Sequence, residues 1–287
     1  MQRATHQNSW YPVGRQLISM LDKAFSEASV DPNAKGTTKA IVSPHAGYVY
    51  SVSTAAHAFK AVDTSLFNRV VILGPSHYIY INHCTIADAK SIETPLGNIP
   101  FDTDTIEKLL SSNGNLFKKL DRATAEKEHS LEMECPLLKY IFKNKQFSII
   151  PIMIGDISPE AIQNVAEALA PIVNQPDTLL VVSSDFCHWG SDFDYTYLLD
   201  RNVSINENIE RLDKEGMKAI SSCDVNAFAK FIKDTGDTIC GEVPIKIAMM
   251  TIKSKYNVSW PHYSQSSVVR SKYDTSVSYA AGIFRIE

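Results

Sequence analysis

Four short apolar runs constrain this chain more than any other feature. Ala40-Ile41-Val42, Val70-Val71-Ile72-Leu73, Phe147 to Ile154 and Leu179-Leu180-Val181-Val182 are almost free of polar residues. Runs of this kind are expected of strands covered on both faces. Between them the apolar spacing turns helical. Leu17, Ile18, Leu21 and Phe25 follow Pro12 up to about Ala28, Ala55, Ala56, Ala58 and Phe59 give residues 53–62 a small-residue face, and Ser158-Pro159 opens a helix running to Val173. Strand and helix therefore alternate, which predicts an α/β fold with a central, largely parallel sheet flanked by helices. No repeat or low-complexity linker interrupts the 287 residues, so one domain over 1–287 is expected.

The remaining segments read less sharply. Residues 31–39 and 94–101 are expected to be loop, the latter with edge structure, and Cys84 to Ala87 a further strand. Asp102 or Thr103 caps a helix to about 111, residues 112–127 cross the surface, and Glu128-His129-Ser130 introduces a helix that Pro136 is placed to kink. Helices are expected at about 201–221, 224–233 and 243–256, with a closing strand over 276–286.

Three of the buried runs end in chemistry. Val-Ser-Pro-His-Ala-Gly-Tyr delivers His45, Leu-Gly-Pro-Ser-His-Tyr delivers His77, and Ser183-Ser184-Asp185-Phe186-Cys187-His188 follows the fourth run. Ligands of open parallel sheets bind outside the carboxyl ends of strands, so these clusters are expected to converge. Imidazole and thiolate hold transition metals, which makes His45, His77 and Cys240 candidate ligands. The alternative is that both histidines bond neighbouring carbonyls at the strand ends. Cys240 precedes a predicted helix, whose positive end is expected to lower the thiol pKa, although an inert buried cysteine has the same sequence. His188 is a candidate general acid or base, with Asp185 fixing its tautomer, against a purely structural pair. His129 reaches the same pocket from a helix N-terminus, unless Glu128-His129-Ser130 is only a cap.

Other residues carry weaker signals. His57 lies in a predicted helix, and His6, His83 and His262 have no supporting cluster. Cys187 faces the core, while Cys84, Cys135 and Cys223 read as small apolar residues. Trp10-Tyr11 and Trp189 either line a pocket or belong to the core.

Composition excludes several classes. The formal charge is −4 without a dense basic run, so nucleic acid is not an expected partner. No apolar stretch approaches a membrane span and the polar N-terminus lacks a signal-peptide core, so no membrane insertion and a cytoplasmic or nuclear location are expected. Five cysteines without a C-x-x-C pair suit free thiols in a reducing compartment. G-x-G-x-x-G, G-x-x-x-x-G-K-[ST] and G-x-S-x-G are all missing, which leaves a nucleotide site or ordinary serine hydrolase unsupported.

Taken in order, Ser9-Trp10-Tyr11, Pro44-His45-Ala46-Gly47-Tyr48, Leu73-Gly74-Pro75-Ser76-His77, Glu128-His129-Ser130, Ser183 to Gly190, Thr238-Ile239-Cys240-Gly241 and Ser276 to Gly282 resemble the MEMO (mediator of cell motility) family across essentially the whole chain. That resemblance implies a fold similar to the LigB-type non-haem iron extradiol dioxygenases. It implies that His45, His77 and Cys240 match the family's metal ligands, one ion per chain, with His188 and Asp185 beside them. The dioxygenases use a carboxylate as third ligand. The softer Cys240 tilts the site toward copper, as copper(I), while still accepting iron(II). The family is linked to redox control, to phosphotyrosine peptides of receptor tyrosine kinases and to cytoskeletal regulators, with Trp10 and His129 at the pocket. Three functions are thus expected in turn: a metal-binding redox protein, an iron(II)-dependent extradiol-type dioxygenase, or a metal-free phosphotyrosine-peptide adaptor. The chain departs from the family pattern at His6-Gln7-Asn8, where metazoan relatives carry His-Ala-Gly, and at Cys135, where histidine is common.

Overall fold

The computed structural model describes residues 1–287. Helix α1 (Gly14–Glu27) leads to β1 (Thr37–Ser43), α2 (Tyr48–Lys60) and β2 (Arg69–Pro75). Short elements follow: β3 (Cys84–Ala87), a ribbon of β4 (Ser91–Ile92) and β5 (Ile99–Pro100), α3 (Thr103–Ser112), β6 (Phe117–Leu120), the single turn α4 (Arg122–Ala125) and α5 (Glu134–Phe142). Strand β7 (Ser148–Ile154), α6 (Pro159–Val173) and β8 (Thr178–Ser183) then complete the centre. The chain ends with β9 (His188–Trp189), α7 (Ile205–Ser221), α8 (Val225–Thr235), α9 (Glu242–Thr251), β10 (Tyr256–Gln265) and β11 (Ser276–Ile286).

The main sheet runs β10-β11-β1-β8-β2-β7-β3-β6. Its four central strands, the four apolar runs of the sequence, are all parallel. Antiparallel pairs flank them: β11 lies antiparallel to β1 and to β10, and β3 antiparallel to β7. Helices cover both faces. α6 and α9 pack on β8 and β2 on one side, while α2 crosses β1 and β11 on the other with α1 and α5 against it. Ala55, Ala56 and Ala58 are fully buried, and their small size lets α2 approach the sheet closely. The helix starts follow their caps. Asp102 accepts from the Thr105 N–H ahead of α3, and Ser158 accepts from the Ala161 N–H ahead of α6, with Pro159 in the first turn.

Four local expectations are corrected. Residues 112–127 do more than cross the surface, because they contain β6 and α4. β6 buries Phe117 but exposes Lys118 and Lys119, so it has the charged face of a short edge strand and almost no apolar period. Strand β10 replaces the tail of the last expected helix, which stops at Thr251. It is an edge strand with Pro261 inside, and its register shifts between Ser259 and His262, which is where proline is tolerated in a sheet. α2 begins at Tyr48, five residues before the expected start at Ser53. α5 starts only at Glu134, so 128–130 lie outside it and Pro136 occupies its first turn, where no helical hydrogen bond is lost and no kink results.

Candidate metal pocket

Because β8 lies between β1 and β2 and all three are parallel, their carboxyl ends open side by side. His45 follows β1, His77 follows β2, and 184–188 follow β8, as the positions of the motifs suggest. The His45 and His77 rings are 5.1 Å apart between centroids. Cys240 arrives from the segment before α9, its Sγ 3.2 Å from His45 Nε2. One ligand atom each from His45, His77 and Cys240 lies within 4.8 Å of the others. Gly241 permits this approach. A Cβ there would fall 2.3 Å from Ser184 Cβ, and its N–H instead donates to Ser184 Oγ at 3.0 Å.

Each histidine is anchored through Nδ1. His45 Nδ1 is 2.8 Å from Ser183 Oγ, and its backbone N–H donates to Asp185 Oδ1 at 2.9 Å. His77 Nδ1 is 3.1 Å from Glu128 Oε1, and its backbone N–H donates to Glu128 Oε2. Both rings take side-chain partners, a hydroxyl and a carboxylate, so capping of carbonyls at the strand ends is not all that anchors them. Glu128 also accepts from the N–H groups of Tyr78 and Ser130, each at 3.0 Å. Burial alone would raise the pKa of its carboxyl, but the His77 ring and these donors bring it to about 2. Glu128 is therefore a brace for His77 rather than a helix cap. The ligand atoms of His77, Glu128 and His129 also lie within 4.8 Å of one another, yet both carboxylate oxygens already face N–H donors. No lone pair is left there for a second cation.

An aromatic stack closes one wall. Trp10 lies over His129 with centroids 4.3 Å apart, and His129 lies over His77 at 4.7 Å. Burial, with His77 and His6 nearby, lowers the His129 pKa to about 4 against the pull of Glu128. The N-terminal segment that carries Trp10 is tied to buried carboxylates. Arg3 pairs with Glu126 at 2.9 Å, and Glu132 accepts from His6 N–H at 3.0 Å and from Tyr11 O–H at 2.6 Å. His6 Nδ1 lies 2.8 Å from Glu132 and its ring meets Trp10 edge-on, so His6 has a cluster after all. His262 likewise stacks on His57 at 4.4 Å and bonds Thr54. The His6–Glu132 and His57–His262 contacts join segments far apart in the chain, which no local spacing displays.

The third strand end is arranged differently from the expectation. His188 Nδ1 lies 2.9 Å from Phe186 O and 3.2 Å from Thr238 O, so two carbonyls fix its tautomer and Asp185 does not. Two acceptors require Nδ1–H, which leaves Nε2 with its lone pair. Burial lowers the His188 pKa and, more strongly, that of His45, where His77, His129 and His188 add to the effect. Burial raises the Asp185 carboxyl to about 7 against the N–H donors of His45 and Ala46. Cys240 reverses its expected shift: burial and the Asp185 charge push the thiol up, and together they outweigh the Asp185 N–H, the Ser184 hydroxyl and the Gly241 N–H ahead of α9. The Asp185 N–H donates to its Sγ at 3.3 Å. Ser183, named above only as part of a motif, and Glu132 and Glu134, which no motif marks, also shape the pocket. All three are buried polar residues inside apolar surroundings, a contrast visible in the sequence only once the fold is known.

Fold and pocket together define an α/β protein with a His/His/Cys cluster at the carboxyl end of a parallel sheet. The family model for Memo-like proteins matches residues 2–283. "Protein memo-1 homolog" of Caenorhabditis elegans is 38% identical over 98% of this chain and 81% of its own length. "Protein MEMO1" of Danio rerio is 37% identical over 97% of this chain and 95% of its own, and that of Homo sapiens 37% over 99% and 97%. The chain belongs to the Memo family, as the order of its motifs indicates.

Proposed function

We propose that this protein binds one redox-active transition metal, copper(I) or iron(II), through His45, His77 and Cys240. The observation that carries the reading is the meeting of two imidazoles and a thiol within 4.8 Å. The donor set fits such an ion. Both rings are anchored through Nδ1, the usual outer support of a metal-binding histidine, and a thiolate favours copper(I) over harder ions. The ion would supply one-electron redox chemistry. The chain's own residues do the rest: Ser183 and Glu128 fix the ring planes, the Asp185 N–H favours the thiolate form of Cys240, and His188 offers an unprotonated Nε2 beside the pocket. Trp10 and His129 wall one side and limit access of water.

Anaerobic titration with copper(I) and iron(II), read by metal analysis after desalting, tests the proposal. One ion per chain is expected. His45→Ala, His77→Ala and Cys240→Ser should each weaken binding by more than about a hundredfold, beyond the 10–100-fold typical of losing an outer hydrogen-bond partner, with circular dichroism unchanged. Full affinity in all three variants would sink the proposal.

A further inference from the structure

We infer that Glu134 is a buried, neutral carboxylic acid that donates its proton to Ser183, and that through Ser183 it acts as a positioning residue holding His45 in the Nδ1–H tautomer. Ser183 Oγ lies 2.6 Å from Ser130 O, 2.9 Å from Glu134 Oε1 and 2.8 Å from His45 Nδ1. A serine hydroxyl has one proton and two lone pairs. The Ser130 carbonyl can only accept, so the single Ser183 proton goes to it. The other two contacts must then be donated to Ser183, one by Glu134 as an acid and one by His45 Nδ1–H.

An ionised Glu134 does not fit this arrangement. Its Oε1 would face a hydroxyl lone pair, and its Oε2, which is buried with no hydrogen-bond partner, would be a bare charged oxygen. In the neutral acid, Oε2 is a carbonyl oxygen and costs far less to leave unpaired. The side chain has no exposed surface. The groups that bear on it are the hydroxyls of Ser43 and Ser183 and the carboxyl of Asp185, none of them a cation. The nearby Tyr48 hydroxyl donates elsewhere, to Met133 O at 2.7 Å. Burial correspondingly pushes the carboxyl well above the usual range.

With Nδ1 protonated, His45 Nε2 carries a lone pair directed at the space beside Cys240 Sγ, 3.2 Å away. The value of this for a metal ion rests on the proposed metal site; the protonation state and the tautomer do not. The test therefore uses metal-free protein first. Nitrogen-15 NMR of the wild type should show His45 protonated at Nδ1, and infrared difference spectra against Glu134→Gln should show a carboxylic-acid C=O band near neutral pH that the variant lacks. Glutamine keeps both neutrality and a donor, so Glu134→Gln should retain the tautomer and bind copper(I) within about threefold of wild type. Ser183→Ala removes the shared acceptor and should mix the tautomers and weaken copper(I) binding about 10–100-fold. A missing acid band, or an Nε2–H tautomer in the wild type, overturns the inference. Wild-type protein with the expected band and tautomer but no affinity for metal upholds it while removing the metal reading.

Discussion

Glu128 shows how one side chain joins the pocket's geometry to its stability. Its carboxylate is almost fully buried and receives the backbone of the His77 loop, the His77 ring and the Ser130 N–H. Its pKa falls from 4.5 to about 2 on folding. For a carboxyl whose folded pKa is depressed, the stabilisation is present above the unfolded value and is lost as pH falls through the folded one. The size implied is on the order of 3 kcal/mol. Urea unfolding of metal-free wild type and Glu128→Gln should thus differ by about that amount near pH 6. The gap should close as the solution approaches about pH 2, and a gap independent of pH would show that charge is not the cause. The sequence displayed Glu128 beside His129 and Ser130 but suggested only a cap, because capping and bracing require the same residue types.

At the scale of elements, the pocket depends on how tightly the start of α9 is pressed against the end of β8. A methyl group on Gly241 would lie 2.3 Å from Ser184 Cβ and 3.0 Å from Ser183 O. Gly241→Ala should therefore destabilise the fold by about 1–3 kcal/mol and displace Cys240, weakening any metal binding at the proposed site more than Gly114→Ala, where a Cβ meets only Leu110 O at 3.4 Å. Adding Ser184→Gly should recover part of both losses. Recovery of neither would place the strain elsewhere. This contact also marks the boundary of what was legible. The apolar runs gave β1, β2, β7 and β8 and placed a histidine or an Asp-x-x-His cluster at three of their ends, because doubly covered strands write themselves as uninterrupted hydrophobic sequence. β6 and β10 escaped because edge strands carry lysine and proline and lack that signature. The helix-start reading of Cys240 gave its thiol the wrong sign of shift, since burial depends on packing that a local motif does not contain.

The whole molecule ties its parts together through buried polar groups as well as its apolar core. Asp213 on α7 accepts from the Cys187 N–H at 3.1 Å and from the Tyr263 hydroxyl of β10 at 2.7 Å. Asp237, ahead of α9, accepts from the Thr238 N–H, and Thr238 in turn clasps His188 through the His188 N–H at 2.7 Å. Burial raises the pKa of both acids; the Asp213 charge adds to the rise at Asp237, and the Glu210 charge to that at Asp213. Their stabilising effect is full below the unfolded carboxyl value and declines as pH rises through the raised folded values, near neutrality and above. Asp237→Asn keeps the acceptor for Thr238 without the charge, so it should melt later than wild type at about pH 9 by about 2 kcal/mol of stability. The difference should shrink at about pH 5, and equal melting at both would exclude ionisation of Asp237 as the origin. The contact between His45 and Cys240 has a consequence for the order of assembly. These residues are separated by 195 positions along the chain, and they meet only after β1, β8 and α9 are in register. Closing so long a loop in an unfolded chain is entropically unfavourable, and contacts of this range form late in folding. A metal ion at the proposed site could therefore not template this fold as zinc does a finger: the protein must finish folding before such a site exists.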